Sequence, residues 1–380
     1  MKRLVFPKRP LFALALLSLI GLAVAGWREY AAMQLAYKRH VAAGATTPDP
    51  GAPEGAFLDA YHNAVALRFR DTLQNGPVSV IYCNDSVMGG HTDDEPRTTI
   101  AEMLGRATGL DIQPISGAGY TAVLFREYAG LVARSANRPR LAIIAVNLRS
   151  FSDDWLFTPR WIYAATTAYL RLLAAPPSPA DLPDWLRQGK ADPDAFWRRR
   201  TDRPQAGHDA LFARLNAGRD ALLAAAPPGL SPEDASRRTH FINNYMTQIT
   251  PDHPMLAALA ETARRLARAG VPVLFYLTPI DVEGGRQLVG EALVANVAAN
   301  SRFLAQALTG AGAACLDLSG LLPADRFVDR EYACEHLDLA GRRRVAEALA
   351  PALSAFAATA ATARLPPAPP PGTGPAPGPP

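Results

Sequence analysis

The sequence predicts an α/β fold with a mostly parallel sheet and a helical insertion, and three observations carry that expectation. Five short apolar runs, at residues 78–83, 111–115, 141–147, 271–277 and 313–318, recur along the chain, several of them separated by helix-length stretches. Strands covered on both faces read as unbroken apolar runs, which is the pattern of parallel sheets flanked by helices. With 380 residues, 49% apolar and 19% charged, the chain can bury one large core or two smaller ones.

Two stretches between and after the runs have the helical period. In "HPMLAALAETARRLARAG", Leu256, Leu259, Ala263 and Leu266 share a face and Gly270 marks the end, so this helix should pack on the sheet. Near the C-terminus Val345, Leu349, Leu353 and Phe356 recur at spacings of four and three, a core stripe expected on the opposite or a neighbouring face.

Ahead of the sheet, Lys2, Arg3, Lys8 and Arg9 precede an uncharged apolar run over residues 11–27, which would hold the tip in the cytoplasm and export the rest. The run is a little short of the roughly 20 residues of a span, and Ala23-Val24-Ala25 resembles a signal-peptidase site. Anchor and cleaved signal both stand. The helical pattern continuing through "WREYAAMQLAYKRH" favours the anchor. The expected organisation is a cytoplasmic tip and membrane anchor or signal segment at 1–40 and a linker and leading helix at 41–75, of which 41–55 is a flexible spacer. The α/β domain occupies 76–360, with a mostly helical insertion at about 152–250, and a disordered Pro-rich tail ends the chain at 361–380. The expected place is the bacterial inner membrane with the globule in the periplasm, or secretion after cleavage.

Composition excludes several classes. The formal charge of +4 arises from 39 basic and 35 acidic residues, with no concentrated field for nucleic acid; the arginines at 198–200 and 342–344 read as solvated helix faces. No phosphate-binding GxxxxGK[ST], no HExxH and no GxSxG is present. "GAGYTA" at 117–122 fits a dinucleotide pattern, yet the acid expected about 20 residues on is missing. No cofactor and no metal are expected. Cys83, Cys315 and Cys334 form no zinc spacing; export permits a Cys315–Cys334 disulfide, with unpaired thiols as the alternative.

Chemistry gathers where the runs end. "VIYCNDSVMGG" carries the first run into Ser86; Gly117 and Gly119 follow the second, Asn147 ends the third, and His336 lies near the C-terminus. Neighbouring parallel strands bring their carboxyl ends to one edge, where open sheets bind ligands. A serine nucleophile needs a base, which His336 can supply, and donors for a developing oxyanion, which the Ser86 amide, the Gly119 amide and the Asn147 side chain can supply. The same residues also have plain structural roles: Ser86 as a helix cap, the glycines as a turn, and Asn147 as an Asx turn. In "NLRSFSDDW", Arg149 is a candidate contact for a sugar or carboxylate and Trp155 a candidate stacking ring, or else an anchor for the insertion. "HFINNYM" at 240–246 offers further polar groups.

In this order and context the residues resemble the SGNH (GDSL-like) hydrolase superfamily. "NDS" is similar to its GDS with Asn84 in place of glycine, "SGAGY" to its glycine block, "AVN" to GxN with Ala145 in place of glycine, and "EHLDLAG" to its HLNxxG end. The resemblance implies a three-layer, SGNH/flavodoxin-like sandwich and a serine esterase or O-acyltransferase acting on an acylated, for instance O-acetylated, cell-envelope glycan or a small ester, without cofactor. A membrane acyl-donor protein is a further partner it allows. The family's aspartate three residues before the histidine is replaced by Ala333. Asp329 is therefore the first candidate for the orienting acid and Glu335 the second. That departure also leaves a second reading: a noncatalytic envelope protein that binds glycan or scaffolds a modification or secretion complex.

Overall fold

The computed structural model describes residues 8–46, 54–89, 98–158, 163–202, 207–225, 227–333 and 335–362. Five parallel strands, β1 (Val80–Asn84), β2 (Ile112–Ser116), β3 (Leu141–Val146), β4 (Val273–Leu277) and β5 (Ala314–Asp317), form one sheet in the order β2-β1-β3-β4-β5. They are the five apolar runs to within a residue or two at either end. The chain moves outward from β1 to β2, then returns to the other side of β1 for β3. The direction of winding therefore reverses between β1 and β3, and the crevice of such sheets opens there, beyond the carboxyl ends.

Alternate side chains along each strand enter two separate cores. Ile81, Cys83, Ile144 and Phe275 belong to the larger, and Val80, Tyr82, Ile143 and Tyr276 to the smaller. Ordinary helices between strands are α3 (Ile100–Thr108), between β1 and β2, and α4 (Ala122–Arg134), between β2 and β3. The β3 to β4 connection is long and contains α5 (Ala164–Ala174), α6 (Pro193–Thr201), α7 (Pro232–Tyr245) and α8 (Pro254–Arg268), besides shorter helical turns. The described residues of 152–250 include no strand. Helix α8 carries the expected stripe Leu256, Leu259, Ala263 and Leu266 into the larger core, and Gly270 follows it at φ +74°. After β4 come α9 (Val282–Val289) and α10 (Glu291–Gly310), and the chain closes with α11 (Leu339–Thr362). The stripe of α11, Val345, Leu349 and Leu353, is fully buried in the smaller core, as is Ile100 of α3.

Two expectations about the periphery are revised. The 41–55 spacer is shorter than its composition suggests, because α1 (Lys8–Gly44) runs on through Gly44 and α2 (Glu54–Asn75) starts at Glu54. Met33, Tyr37 and Val41 of α1 are buried in the larger core, and the Tyr37 hydroxyl donates to the Leu172 carbonyl of α5 at 3.2 Å. The folded body thus reaches back to Met33, since an aromatic and two aliphatic side chains at spacing four outweigh the loop signals that follow them. Second, Arg342 is not solvated. It is 1% exposed and donates to the Leu337 carbonyl at 2.6 Å and to the Thr98 carbonyl at 3.1 Å, binding the start of α11 to its neighbours.

On α1, Leu16, Leu17, Leu19, Ile20, Leu22, Val24 and Trp27 are exposed. Among the described residues no helix is long and apolar enough to cross a membrane; the α1 side chains described begin at Ala15. Cys83 and Cys315 are free thiols, while Cys334 and the tail beyond Thr362 lie outside the described residues.

If α1 belongs to the folded body, Met33→Ala costs about 2–5 kcal/mol, the range for emptying a buried methionine site. Urea denaturation of the full chain measures this; a midpoint unmoved by the substitution would detach α1 from the domain.

Candidate active site

Strand β1 ends on buried Asn84, and Asp85 follows with an extended backbone. The Asp85 carboxylate accepts from the Val87 amide at 3.0 Å and so caps a single 3-10 turn, Ser86–Met88. Capping, one of the two roles open to Ser86, thus falls to its neighbour. Ser86 opens the turn, and its Oγ lies 2.9 Å from His336 Nε2, across 250 positions of sequence.

His336 is held by a loop that folds back on itself. Phe327 and Leu337 form an antiparallel bridge, the Val328 amide donates to the His336 carbonyl at 2.9 Å, and a 3-10 turn, Arg330–Tyr332, lies between. Asp329 and Ala333, on either side of that turn, both sit in the left-handed region at φ +50° and +47°. Such backbone costs roughly 1–2 kcal/mol for a residue with a side chain, less for aspartate. It brings Asp329 Oδ2 to 3.0 Å from His336 Nδ1. The imidazole therefore touches the hydroxyl with one nitrogen and a carboxylate with the other, the acid coming from seven residues upstream.

Glu335, the second candidate for that acid, is engaged elsewhere. It is fully buried and its oxygens meet the Tyr245 hydroxyl at 2.5 Å, the Asn147 amide nitrogen at 3.0 Å and Arg149 Nε at 3.3 Å. Burial pushes its pKa up, Arg149 pulls it down, and nearby Asp85 adds to the rise. The Tyr245 hydroxyl also lies 3.1 Å from the Ala333 carbonyl, which Asn244 Nδ2 approaches at 3.2 Å. The insertion helix α7 thus grips the loop at Ala333 and at Glu335, just ahead of His336.

Two expected roles look different in the folded chain. The Asn147 amide nitrogen donates to Asp85 Oδ2 and to Glu335 Oε2, each at 3.0 Å, and its oxygen accepts from the Arg149 amide at 3.0 Å. Both amide hydrogens face carboxylates, because two buried acids, one after β1 and one beside His336, need donors. Arg149 is 8% exposed, pairs with Glu335 and, at 3.7 Å, with Asp85, and lies 5.0 Å over the Trp155 ring. Its expected contact with substrate is therefore corrected to an internal ion pair, the guanidinium being taken up by two buried carboxylates. Trp155 is buried too and bears on Arg149. In the glycine block, the Tyr120 amide donates to the Gly117 carbonyl at 3.1 Å, and Gly119 has φ +69°, a conformation that suits glycine. A Cβ at Gly117 would collide with the Tyr120 ring. The turn follows β2 beside β1, and the Ser116 hydroxyl reaches back to the Asp85 carbonyl at 2.8 Å.

Two tyrosines not singled out beforehand, Tyr82 and Tyr276, join Asn84 in a cluster next to the serine. Asn84 Nδ2 donates to the Tyr82 hydroxyl at 2.8 Å and lies 3.2 Å from that of Tyr276, the two hydroxyls touching each other; Asn84 Oδ1 accepts from the Asp85 amide at 2.7 Å. Burial raises both phenol pKa values, so the pair stays neutral. The asparagine standing where the resembled family has glycine is thus the hub of a buried polar cluster. Tyr245 had a signal in the polar "HFINNYM" segment; the tyrosines of β1 and β4 had none, since in a strand they read as core.

Compared with known proteins, the chain matches no family model, and no curated protein is similar enough to count as a match.

The raised pKa of Glu335 carries a sign. Between its ordinary 4.5 and the higher folded value the native state holds more protons than the unfolded one, so the group's contribution is full below 4.5 and declines as pH rises. Denaturation of wild type and Glu335→Gln between about pH 4 and 7 should show wild type losing ground to the variant as pH increases. A pH-independent difference would contradict a raised carboxylate.

Proposed function

We propose that the chain is a serine esterase or O-acyltransferase of SGNH type, built on a three-layer flavodoxin-like sandwich, that acts on an acylated cell-envelope glycan. The observation that carries the reading is the continuous line of contacts from Ser86 through His336 to Asp329. Its position beside the winding reversal, at the carboxyl edge of the sheet, agrees with it.

In the proposed reaction the Ser86 Oγ attacks the ester carbonyl while its proton passes to His336 Nε2. Asp329 holds the Nδ1–H and favours the imidazolium that forms. The carbonyl oxygen becomes negative and is met by main-chain amides, those of Ser86 and Gly119 being the candidates; Asn147 joins them by exchanging one carboxylate for the oxyanion. Collapse breaks the bond to the leaving alkoxide, which takes the proton from His336. Water or a glycan hydroxyl then gives its proton to His336, attacks the acyl group, and frees Ser86, which regains a proton. The first acceptor makes an esterase, the second a transferase.

The exposed apolar flank of α1 from Leu16 to Trp27 supports an inner-membrane anchor with the globule in the periplasm. A membrane acyl-donor protein is a candidate partner there. One observation favours the alternative of a noncatalytic glycan-binding or scaffolding protein: Asn147's amide hydrogens are both committed to carboxylates.

A serine-directed phosphonate separates the two. The catalytic reading predicts labelling of the full chain at Ser86, none in Ser86→Ala, and acetyl-ester hydrolysis that falls about 10²–10⁴-fold in Asp329→Asn. Absence of labelling in a folded wild type would sink the catalytic reading.

A further inference from the structure

Away from the serine, a half-open groove of about 1,070 Å³ runs along α4 between α5 and α8, from Thr121 and Trp155 at one end to Arg134 and Ala174 at the other. Its lining carries Arg126, Arg134, Arg171, Arg200, Arg265 and Arg268 against only Glu127, Asp202 and Glu261. Three of the guanidiniums converge on one buried carboxylate: Glu127 meets Arg126 at 2.8 Å, Arg171 at 3.2 Å and Arg265 at 3.6 Å. Asp181 pairs with Arg200 from outside the lining, which still leaves two positive charges in excess. Arg134 contacts only a carbonyl, that of Ala174, and no carboxylate among the described residues. The Thr167 hydroxyl, on a residue 6% exposed in the lining, has no hydrogen-bond partner among the described residues.

From this geometry we infer that the groove is a binding site for an anionic glycan chain, one whose units carry carboxylate or sulfate. A chain fits better than a single ion, since Arg126 and Arg134 lie eight residues apart on α4, about 12 Å along the helix axis. Guanidinium forks match oxyanions of either kind. Apart from Val123, Leu156 and Trp155 toward one end, the apolar part of the lining is made of small side chains such as Gly130, Ala133, Ala164 and Ala168, which leaves room for a hydrated polymer. Trp155 closes one end of the groove and also bears on Arg149, whose carboxylate partners Asp85 and Glu335 flank Ser86 and His336 in the sequence. The groove would thus hold a polymer with one end directed toward the serine. This extends the proposed function by naming the charge of the glycan, yet binding here needs no reactive serine.

Titration calorimetry on the full chain tests it with a galacturonate oligomer, a heparin oligomer, a neutral galactose oligomer of equal length, and anionic phospholipid vesicles. Binding of at least one charged oligomer is expected, weakening as salt rises and at least about 10-fold weaker in Arg134→Gln/Arg268→Gln, two exposed positions whose loss leaves thermal unfolding unchanged. Thr167→Val should weaken it further without changing the melt. Ser86→Ala should bind as wild type, so a catalytic failure and a groove failure are told apart. Equal binding of the neutral oligomer, binding to vesicles alone, no binding of either charged oligomer, or full affinity in the double variant would overturn the inference.

Discussion

A single buried carboxylate ties the molecule together at its working edge. Glu335 is reached by Asn147 from the end of β3, by Tyr245 from the insertion helix α7, and by Arg149 from the turn after β3, and it immediately precedes His336. Two distant parts of the chain, the end of β3 and the insertion helix, thereby fix where the imidazole stands. Burying an unpaired carboxylate is expensive, and donors and a neighbouring cation offset part of the cost. Here Tyr245 and Asn147 donate and Arg149 lies alongside, and each comes from an element that must be in place before the loop can close. The site is consequently a property of the complete fold.

The same logic explains the departures from the pattern that the residues resemble. Ala333 stands where an orienting aspartate is expected, but it occupies a left-handed position whose carbonyl is held by Tyr245 and Asn244. Its geometry serves to turn the loop, and the turn delivers Asp329 to the imidazole from further upstream. Asn84, in place of glycine, joins Tyr82 and Tyr276 in a buried cluster that also receives the Asp85 amide. These substitutions are accompanied by contacts that account for them, so they do not by themselves mark a decayed site.

Much of this was legible in the chain. The five strands announced themselves because a doubly covered sheet needs continuous apolar runs, and the stripe of α8 and that of α11 had the helical period on opposite sides of the sheet. Ser86 and His336 stood out through their places relative to those strands. What stayed hidden depends on directions that spacing does not encode. Arg149 reads as a substrate contact until the fold shows it facing Glu335 and Asp85. Asn147 reads as an oxyanion donor alone, and only the fold shows that its amide also serves two acids. The burial of Met33, Tyr37 and Val41 was masked by the turn-rich residues just beyond them.

The pairing of Ser86 with His336 is measured most directly by placing a thiol at the serine. In Ser86→Cys the imidazole and the turn should draw the thiol's titration below its ordinary value of about 8.5, so alkylation by iodoacetamide should proceed at neutral pH and slow sharply when His336→Ala is added. Alkylation that follows an unperturbed thiol, with no change on removing the histidine, would contradict the contact on which the whole account rests.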